Sequence, residues 1–239
     1  MTGTQKLTET LQKYEINLTK EQLGQFTDFE RFLREYNSHT NLLSSKDIEL
    51  VWQKHFVDSI AFCRYLKDDT PHKIIDIGSG GGFPVIPEAI ILTKSNIFAL
   101  DSTSKKTNFL KQAGDLLKLK NFSVINDRAE DISHRKTFRE TFDIVTARAV
   151  GNLAQITELS LPFLKTGGYF LAYKSTKVQG EIKSAQNTIT LLGGKIEDIY
   201  EYELALEENF VRNIILIKKE KQTPVEYPRS FSAIKNKPL

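Results

Sequence analysis

The stretch Asp76-Ile77-Gly78-Ser79-Gly80-Gly81-Gly82-Phe83-Pro84 decides the fold. It follows a short apolar run, Lys73-Ile74-Ile75-Asp76-Ile77, and leads into an apolar segment from about Pro84 to Leu92. Strand, glycine turn and helix in that order open a βαβ unit. Glycine lets the backbone take positive φ and pass close to a ligand, at a cost in chain entropy. Glycine at Gly78, Gly80, Gly81 and Gly82 is more than a plain turn requires. In an open α/β sheet this turn lies at the carboxyl edge of the strand, where ligands bind.

Further strands are predicted at Asn96–Asp101, Phe122–Ile125, Phe142–Ala147, Tyr169–Tyr173, and at about 195–203 and 210–218. Helices are predicted at Ser104–Leu119, through Leu153, Ile156 and Leu159, and at Val178–Leu192. Strands that alternate with helices imply a parallel sheet covered on both faces. The last two strands leave no room for a crossover helix, so they pair antiparallel. The expected fold is Rossmann-like α/β, a seven-stranded mainly parallel sheet with an antiparallel last strand. Ahead of it, residues 1–70 read as a helical extension. Thr19 and Gln22 form a capping box, and Phe26, Phe29, Phe32, Leu33 and Tyr36 share one helical face. Asn37-Ser38-His39 is expected to end that helix, and Ser45 or Asp47 to cap the next, which carries Ile48, Val51, Trp52, Phe56 and Ile60. The core is expected over 71–220, with a basic tail, 221–239, packed on or near it.

Composition narrows the classes. A single cysteine, Cys63, excludes an internal disulfide and a cysteine-based metal cluster. The four histidines have no zinc-ligand spacing, so no metal is expected. No apolar run approaches the roughly 20 residues of a membrane span, and the polar Thr2–Thr10 is unlike a signal peptide. No membrane association and a cytoplasmic location are therefore expected. Net charge is +3. Residues 1–70 hold nine basic and eleven acidic side chains, whereas 218–239 hold six and two. A basic tail suits a polyanion such as RNA, or serves solubility alone.

The glycine turn fails the strict dinucleotide fingerprint, because Phe83 holds its sixth position. Pro84 also withholds an N–H that a pyrophosphate would use. A ligand without phosphates, with adenosine and amino-acid ends, fits better. Asp101 ends the second strand 23 residues after Gly78. It is placed either to accept from ribose hydroxyls or to cap the next helix. After the third strand, a backbone N–H at Ala129 or Glu130 is placed to read adenine; an acid-rich helix start is the competing reading. Arg148 ends the fourth strand. It would meet a cofactor carboxylate or a phosphate, or pair with Asp76 or Glu130.

Taken together, these residues resemble a known family. Its ordered motifs are Glu35-Tyr36-Asn37 with Asn41-Leu42, His55-Phe56-Val57-Asp58-Ser59, the glycine turn, Asp101-Ser102 with Lys105-Lys106, Asp127-Arg128-Ala129-Glu130, Thr146-Ala147-Arg148-Ala149-Val150, Arg212-Asn213-Ile214 and Tyr227-Pro228-Arg229. The chain resembles the bacterial 16S ribosomal RNA guanine-N7 methyltransferases, the glucose-inhibited division protein B family, over nearly its whole length. Val85 and Ser175 stand where that family usually has glycine, and Leu43 where threonine is common. Tail positions Ser230, Ser232 and Ile234 also depart from its pattern.

The resemblance implies S-adenosyl-L-methionine as cofactor, with contacts at Gly78, Phe83, Ala129, Glu130 and Arg148. Gly80 and Asp101 join them from the turn and strand argument. It implies 16S ribosomal RNA or a small-subunit particle as partner, and a monomer is expected. Guanine N7 carries a lone pair and no proton, so no catalytic acid or base is assigned. Arg148 or Lys174 would position the base by donating to O6. Tyr173, Tyr36 or Phe83 would stack on it or belong to the core. Arg212 and Arg229, with the tail and Lys105-Lys106, would contact phosphates.

Overall fold

A computed structural model describes residues 3–66, 70–176, 178–204 and 210–239. Helices α1 (Gly3–Gln12), α2 (Lys20–Thr40) and α3 (Ser45–Glu49) lead into a π-helical turn (Val51–Phe56), a single turn α4 (Val57–Ser59) and a 3-10 turn (Ile60–Arg64). The core then alternates: β1 (Lys73–Ile77), α5 (Val85–Ile91), β2 (Asn96–Asp101), α6 (Ser104–Leu116), β3 (Phe122–Asn126), α7 (Ala129–Ile132), β4 (Phe142–Arg148), α8 (Leu153–Ser160), β5 (Leu164–Lys174), α9 (Val178–Leu191), β6 (Gly194–Leu204) and β7 (Phe210–Lys219). A short helix, α10 (Phe231–Asn236), follows.

The sheet order is β3-β2-β1-β4-β5-β7-β6. Strands β1 to β5 pair in parallel, and β7 runs antiparallel to both β5 and β6. This is the mixed, mainly parallel sheet expected. Successive residues of β1 serve opposite faces, as a pleated strand requires. Ile74 joins an apolar cluster with Leu7, Leu11, Phe26, Phe29, Phe56 and Phe109. Ile75 and Ile77 join the other, with Leu153, Ile156, Ile189 and Ile234. The N-terminal helices therefore bury their apolar stripe against the sheet's own covering helices.

Four expectations are corrected. The helix expected to end at Asn37-Ser38-His39 continues to Thr40, and Asn41 closes it in the left-handed region at φ 53. Asn37 does not break it because its side chain works ahead of the helix, accepting from the Leu43 N–H at 2.8 Å and donating to the Leu43 carbonyl at 3.1 Å. The next cap is Ser44, which accepts from the Asp47 N–H. The single helix expected there is split into α, π and 3-10 turns. Lys219, one of the basic residues counted over 218–239, is the last residue of β7. It is fully buried and donates to the Leu161 carbonyl and Thr223, and burial pulls its pKa down to about 8. α10 was not expected; Ser230 caps it, and Ile234 is buried. Among the described residues no helix is long and apolar enough to cross a membrane.

Candidate functional site

The order β2-β1-β4 makes the gap between β1 and β4 the point where the chain's progression across the sheet reverses, which is where open α/β sheets bind ligands. The glycine turn fills one side of it. Gly78, Gly80 and Gly82 all take positive φ. The Gly78 and Ser79 N–H groups donate to the Leu100 carbonyl at 2.8 and 3.0 Å, which ties the turn to β2. A Cβ on Gly78 would lie 2.7 Å from Val150 Cγ2, so the turn and the loop after β4 approach to a distance that only glycine allows. That loop is itself strained: Ala149 sits at φ 59, a region that costs a non-glycine residue about 1–2 kcal/mol. Val85, which replaces a glycine of the family pattern, is a buried first residue of α5 and requires no unusual backbone.

Asp101 is buried. One oxygen accepts from the Gly80 N–H at 3.0 Å and the other from the Thr103 N–H at 2.9 Å. It thus holds the turn and braces Thr103, the residue ahead of α6, and its remaining lone pairs face no other hydrogen-bond donor closer than Lys106 Nζ at 3.7 Å among the described residues. In the next strand, Asn126 Nδ2 donates to the Asp101 carbonyl. Ala129 and Glu130 open α7, and the Glu130 carboxylate pairs with Arg128 at 3.2 Å. Gly78, Gly80, Asp101, Ala129 and Glu130 therefore line up along the β1, β2 and β3 ends.

Beneath the turn lies a buried carboxyl pair. Asp76 Oδ1 and Glu88 Oε2 share the Thr146 hydroxyl, at 3.0 and 3.4 Å. Asp76 Oδ2 and Glu88 Oε1 have no hydrogen-bond partner. Burial pushes the Asp76 pKa up to about 7. Burial and the neighbouring Asp76 hold Glu88 well above the usual carboxylate range.

The ends of β4, β5 and β7 form the other side. Arg148 does not pair with Asp76 or Glu130. Its Nε donates to Asp58 at 2.7 Å, and its Nη2 lies 2.9 Å from His55 Nδ1. Asp58 is buried and also accepts from the Tyr202 hydroxyl at 2.6 Å, with Arg212 Nε at 3.9 Å. Lys174 donates to the Gly151 carbonyl at 2.8 Å and to Glu181 at 2.6 Å. Arg148, Lys174 and Arg212 border one cavity of about 590 Å³ with Lys54, His55 and Tyr173.

The remaining expected residues lie elsewhere or inside. Phe83 is buried among Phe29, Phe56 and His55, with ring centroids 5.5, 5.7 and 5.0 Å away. Tyr173 is buried, and its hydroxyl donates to the Ser59 carbonyl. Tyr36 packs on Phe109. Arg229 forms a two-pronged pair with buried Glu158, at 2.8 and 2.6 Å, and its third nitrogen donates to the Lys237 carbonyl. It fastens the tail to α8 and is not brought to this edge.

Residue patterns did not single out His55, Asp58, Tyr202 or Glu88 individually. The sequence carried His55 and Asp58 only within the family motif His55-Phe56-Val57-Asp58-Ser59; in the fold a π-helical turn, a feature that often marks functional sites, delivers His55 just before Asp58.

The fold defines a class, the Rossmann-like α/β sheets with one antiparallel strand, β7. Two solved structures share the fold. One is TYW2 of M. jannaschii in complex with AdoMet (16% identity, TM-score 0.53, 74% of this chain and 78% of that one). The other is NSun6 of Pyrococcus horikoshii with SFG (14%, 0.54, 69% and 52%). The particular family follows from sequence. The GidB family, rRNA small subunit methyltransferase G, matches residues 22–211. The Ribosomal RNA small subunit methyltransferase G of Bacillus licheniformis is 39% identical over 98% of both chains. That of Lachnoclostridium phytofermentans is 41% identical over 90% of this chain and 88% of its own. The chain belongs to the rRNA small subunit methyltransferase G family.

Proposed function

We propose that the chain transfers a methyl group from S-adenosyl-L-methionine to N7 of a guanine in 16S ribosomal RNA, free or within a small-subunit particle. It does so as a cytoplasmic monomer. Residues 1–70 form its helical extension, 71–220 its catalytic core and 221–239 its tail. The observation that carries this reading is the two-sided switch point, with a glycine turn and acceptors on one side and a cation-bordered cavity on the other.

The residues suit the cofactor. Asp76 Oδ2 is a buried acceptor without a partner, suited to a cationic ligand. Gly78 and Gly80 keep the turn free of side chains. Asp101 offers acceptors for ribose hydroxyls, and the Ala129–Glu130 backbone stands ready for adenine. The Phe83 backbone and the Arg148 guanidinium complete the set. When bound, S-adenosylmethionine supplies a methyl group on a positively charged sulfur.

Guanine N7 needs no deprotonation, so no side chain acts as a base. The protein's part is to orient the guanine and exclude water. Arg148 and Lys174 take the positioning role, and Arg212 the phosphate. N7 is inaccessible in the deep groove of A-form RNA, so the substrate guanine is unstacked. Mapping methylated bases in small-subunit RNA from cells with and without this protein tests the reading. One N7-methylguanosine should vanish without it; an unchanged map rejects the proposal.

A further inference from the structure

The cavity over the ends of β4, β5 and β7 borders a buried ring nitrogen that the fold leaves without a hydrogen bond. His55, 7% exposed, borders it. Its Nδ1 lies 2.9 Å from Arg148 Nη2. A guanidinium nitrogen only donates, so Nδ1 is the acceptor and carries no proton. The imidazole is therefore neutral, with its hydrogen on Nε2. Burial and the Arg148 charge hold its pKa down, to about 3, in keeping with that state.

Nε2 is buried and makes no hydrogen bond. A buried donor without an acceptor is destabilising, and such a group calls for an explanation. The Asp47 carboxylate faces it from 3.6 Å, beyond hydrogen-bonding distance, and is held instead by Lys54 and Ser44. Asp47 sits on α3, which buries none of its residues. Moving it from in front of Nε2 therefore costs little packing. Of the other donors at the cavity, Arg148 is engaged with Asp58 and His55, Lys174 with Gly151 and Glu181, and Lys54 with Asp47, while Arg212 stands 3.9 Å from Asp58.

We propose that this cavity receives the target guanine and that His55 Nε2–H donates to its O6, with Arg148 and Asp58 as positioning residues behind it. The inference rests on the methyl-transfer reading above. O6 and N7 are adjacent acceptors on one edge of guanine, whereas adenine presents an amino donor in place of O6. A donor fixed beside N7 admits guanine and opposes adenine. Arg148 fixes the tautomer, and Asp58 fixes Arg148.

The test uses two variants. His55→Phe keeps a ring beside Phe83 and removes both nitrogens. His55→Gln keeps an acceptor for Arg148 and a donor for the base. Single-turnover methylation of unmodified small-subunit particles is measured at saturating S-adenosylmethionine, alongside S-adenosylhomocysteine affinity and thermal midpoint. His55→Phe should slow transfer roughly 10- to 100-fold with cofactor affinity within about threefold, and His55→Gln should recover most of the loss. Particles carrying 2-aminopurine, which lacks O6, at the mapped nucleotide should slow the wild type by the same factor and leave His55→Phe no slower than with guanine. A wild-type rate for His55→Phe, or equal slowing of both proteins by 2-aminopurine, overturns the proposal. If the Phe variant does not fold, the wild type decides: no slowing by 2-aminopurine overturns it. Wild-type protein that methylates no guanine defeats the parent reading instead, so the two failures are distinct.

Discussion

Gly78→Ala probes the contact between the glycine turn and the loop after β4. Gly78 holds φ +74, and an added Cβ would lie 2.7 Å from Val150 Cγ2 and 3.4 Å from Cγ1. Carbon atoms prefer about 3.5–4.0 Å, so the two segments must separate by roughly 1 Å. The left-handed backbone costs alanine about 1–2 kcal/mol. Overpacking adds about 1–3 kcal/mol, at the low end here because Val150 is 36% exposed and has room to turn outward. The expected loss is about 2–4 kcal/mol in urea unfolding. Val150→Ala alone should cost no more than about 0.5 kcal/mol, as partly exposed positions do. In the double variant the overpacking disappears and only the backbone strain remains, about 1–2 kcal/mol. The cycle should therefore show a coupling of about 1 kcal/mol or more. S-adenosylhomocysteine affinity should fall with Gly78→Ala and recover only partly in the double variant. Additive losses, or a Gly78→Ala protein as stable as the wild type, would refute the reasoning.

Three more outcomes follow from the geometry. Burial raises the pKa of both Asp76 and Glu88, Asp76 to about 7; a carboxyl with a raised folded-state pKa loses the fold stability as pH rises through that value. Glu88→Gln removes one of the two charges and should flatten the fall in urea midpoint as pH rises from about 4 to about 7, and an unchanged slope would count against the shared cluster. Arg229→Ala strands the buried Glu158 carboxylate and should cost about 3 kcal/mol in urea unfolding, while the RNA affinity of the folded protein stays the same; a fall in affinity without a loss of stability would return Arg229 to the RNA surface. Arg212→Ala should weaken RNA binding and lower the slope of log affinity against log salt by about 1, with S-adenosylhomocysteine affinity unchanged.

Periodicity and punctuation made most of the fold legible. Strands β1 to β4 are close to their predicted spans because each is a short apolar run bounded by turn residues, whereas β5, expected at Tyr169–Tyr173, begins at Leu164 and runs through Gly167-Gly168. The capping box at Thr19 and Gln22 is present in both halves. Failures fall where a side chain's partner is distant in sequence. Asn37-Ser38-His39 has the composition of a break, yet the helix continues because Asn37 bonds Leu43 beyond it. Lys219 and Arg229 read as basic-tail cations, but Glu140 lies near the first and Glu158 holds the second, 79 and 71 residues away. The site divides the same way. Gly78, Gly80, Asp101, Ala129 and Glu130 are local to strand ends, so pattern alone could place them at that edge. Arg148 was found, but its partner was not, because Asp58 lies 90 residues earlier on a helical segment that no core periodicity links to β4. His55 was visible only as part of a family motif; its tautomer depends on Arg148.

The central claim is tested most directly by incubating the purified protein with S-adenosylmethionine labelled in its methyl group and with small-subunit RNA or particles that lack the modification, then identifying the labelled nucleoside by mass spectrometry. The account predicts label in 7-methylguanosine at a single position of the small-subunit RNA. Label in another nucleoside, or none in either substrate, would contradict it.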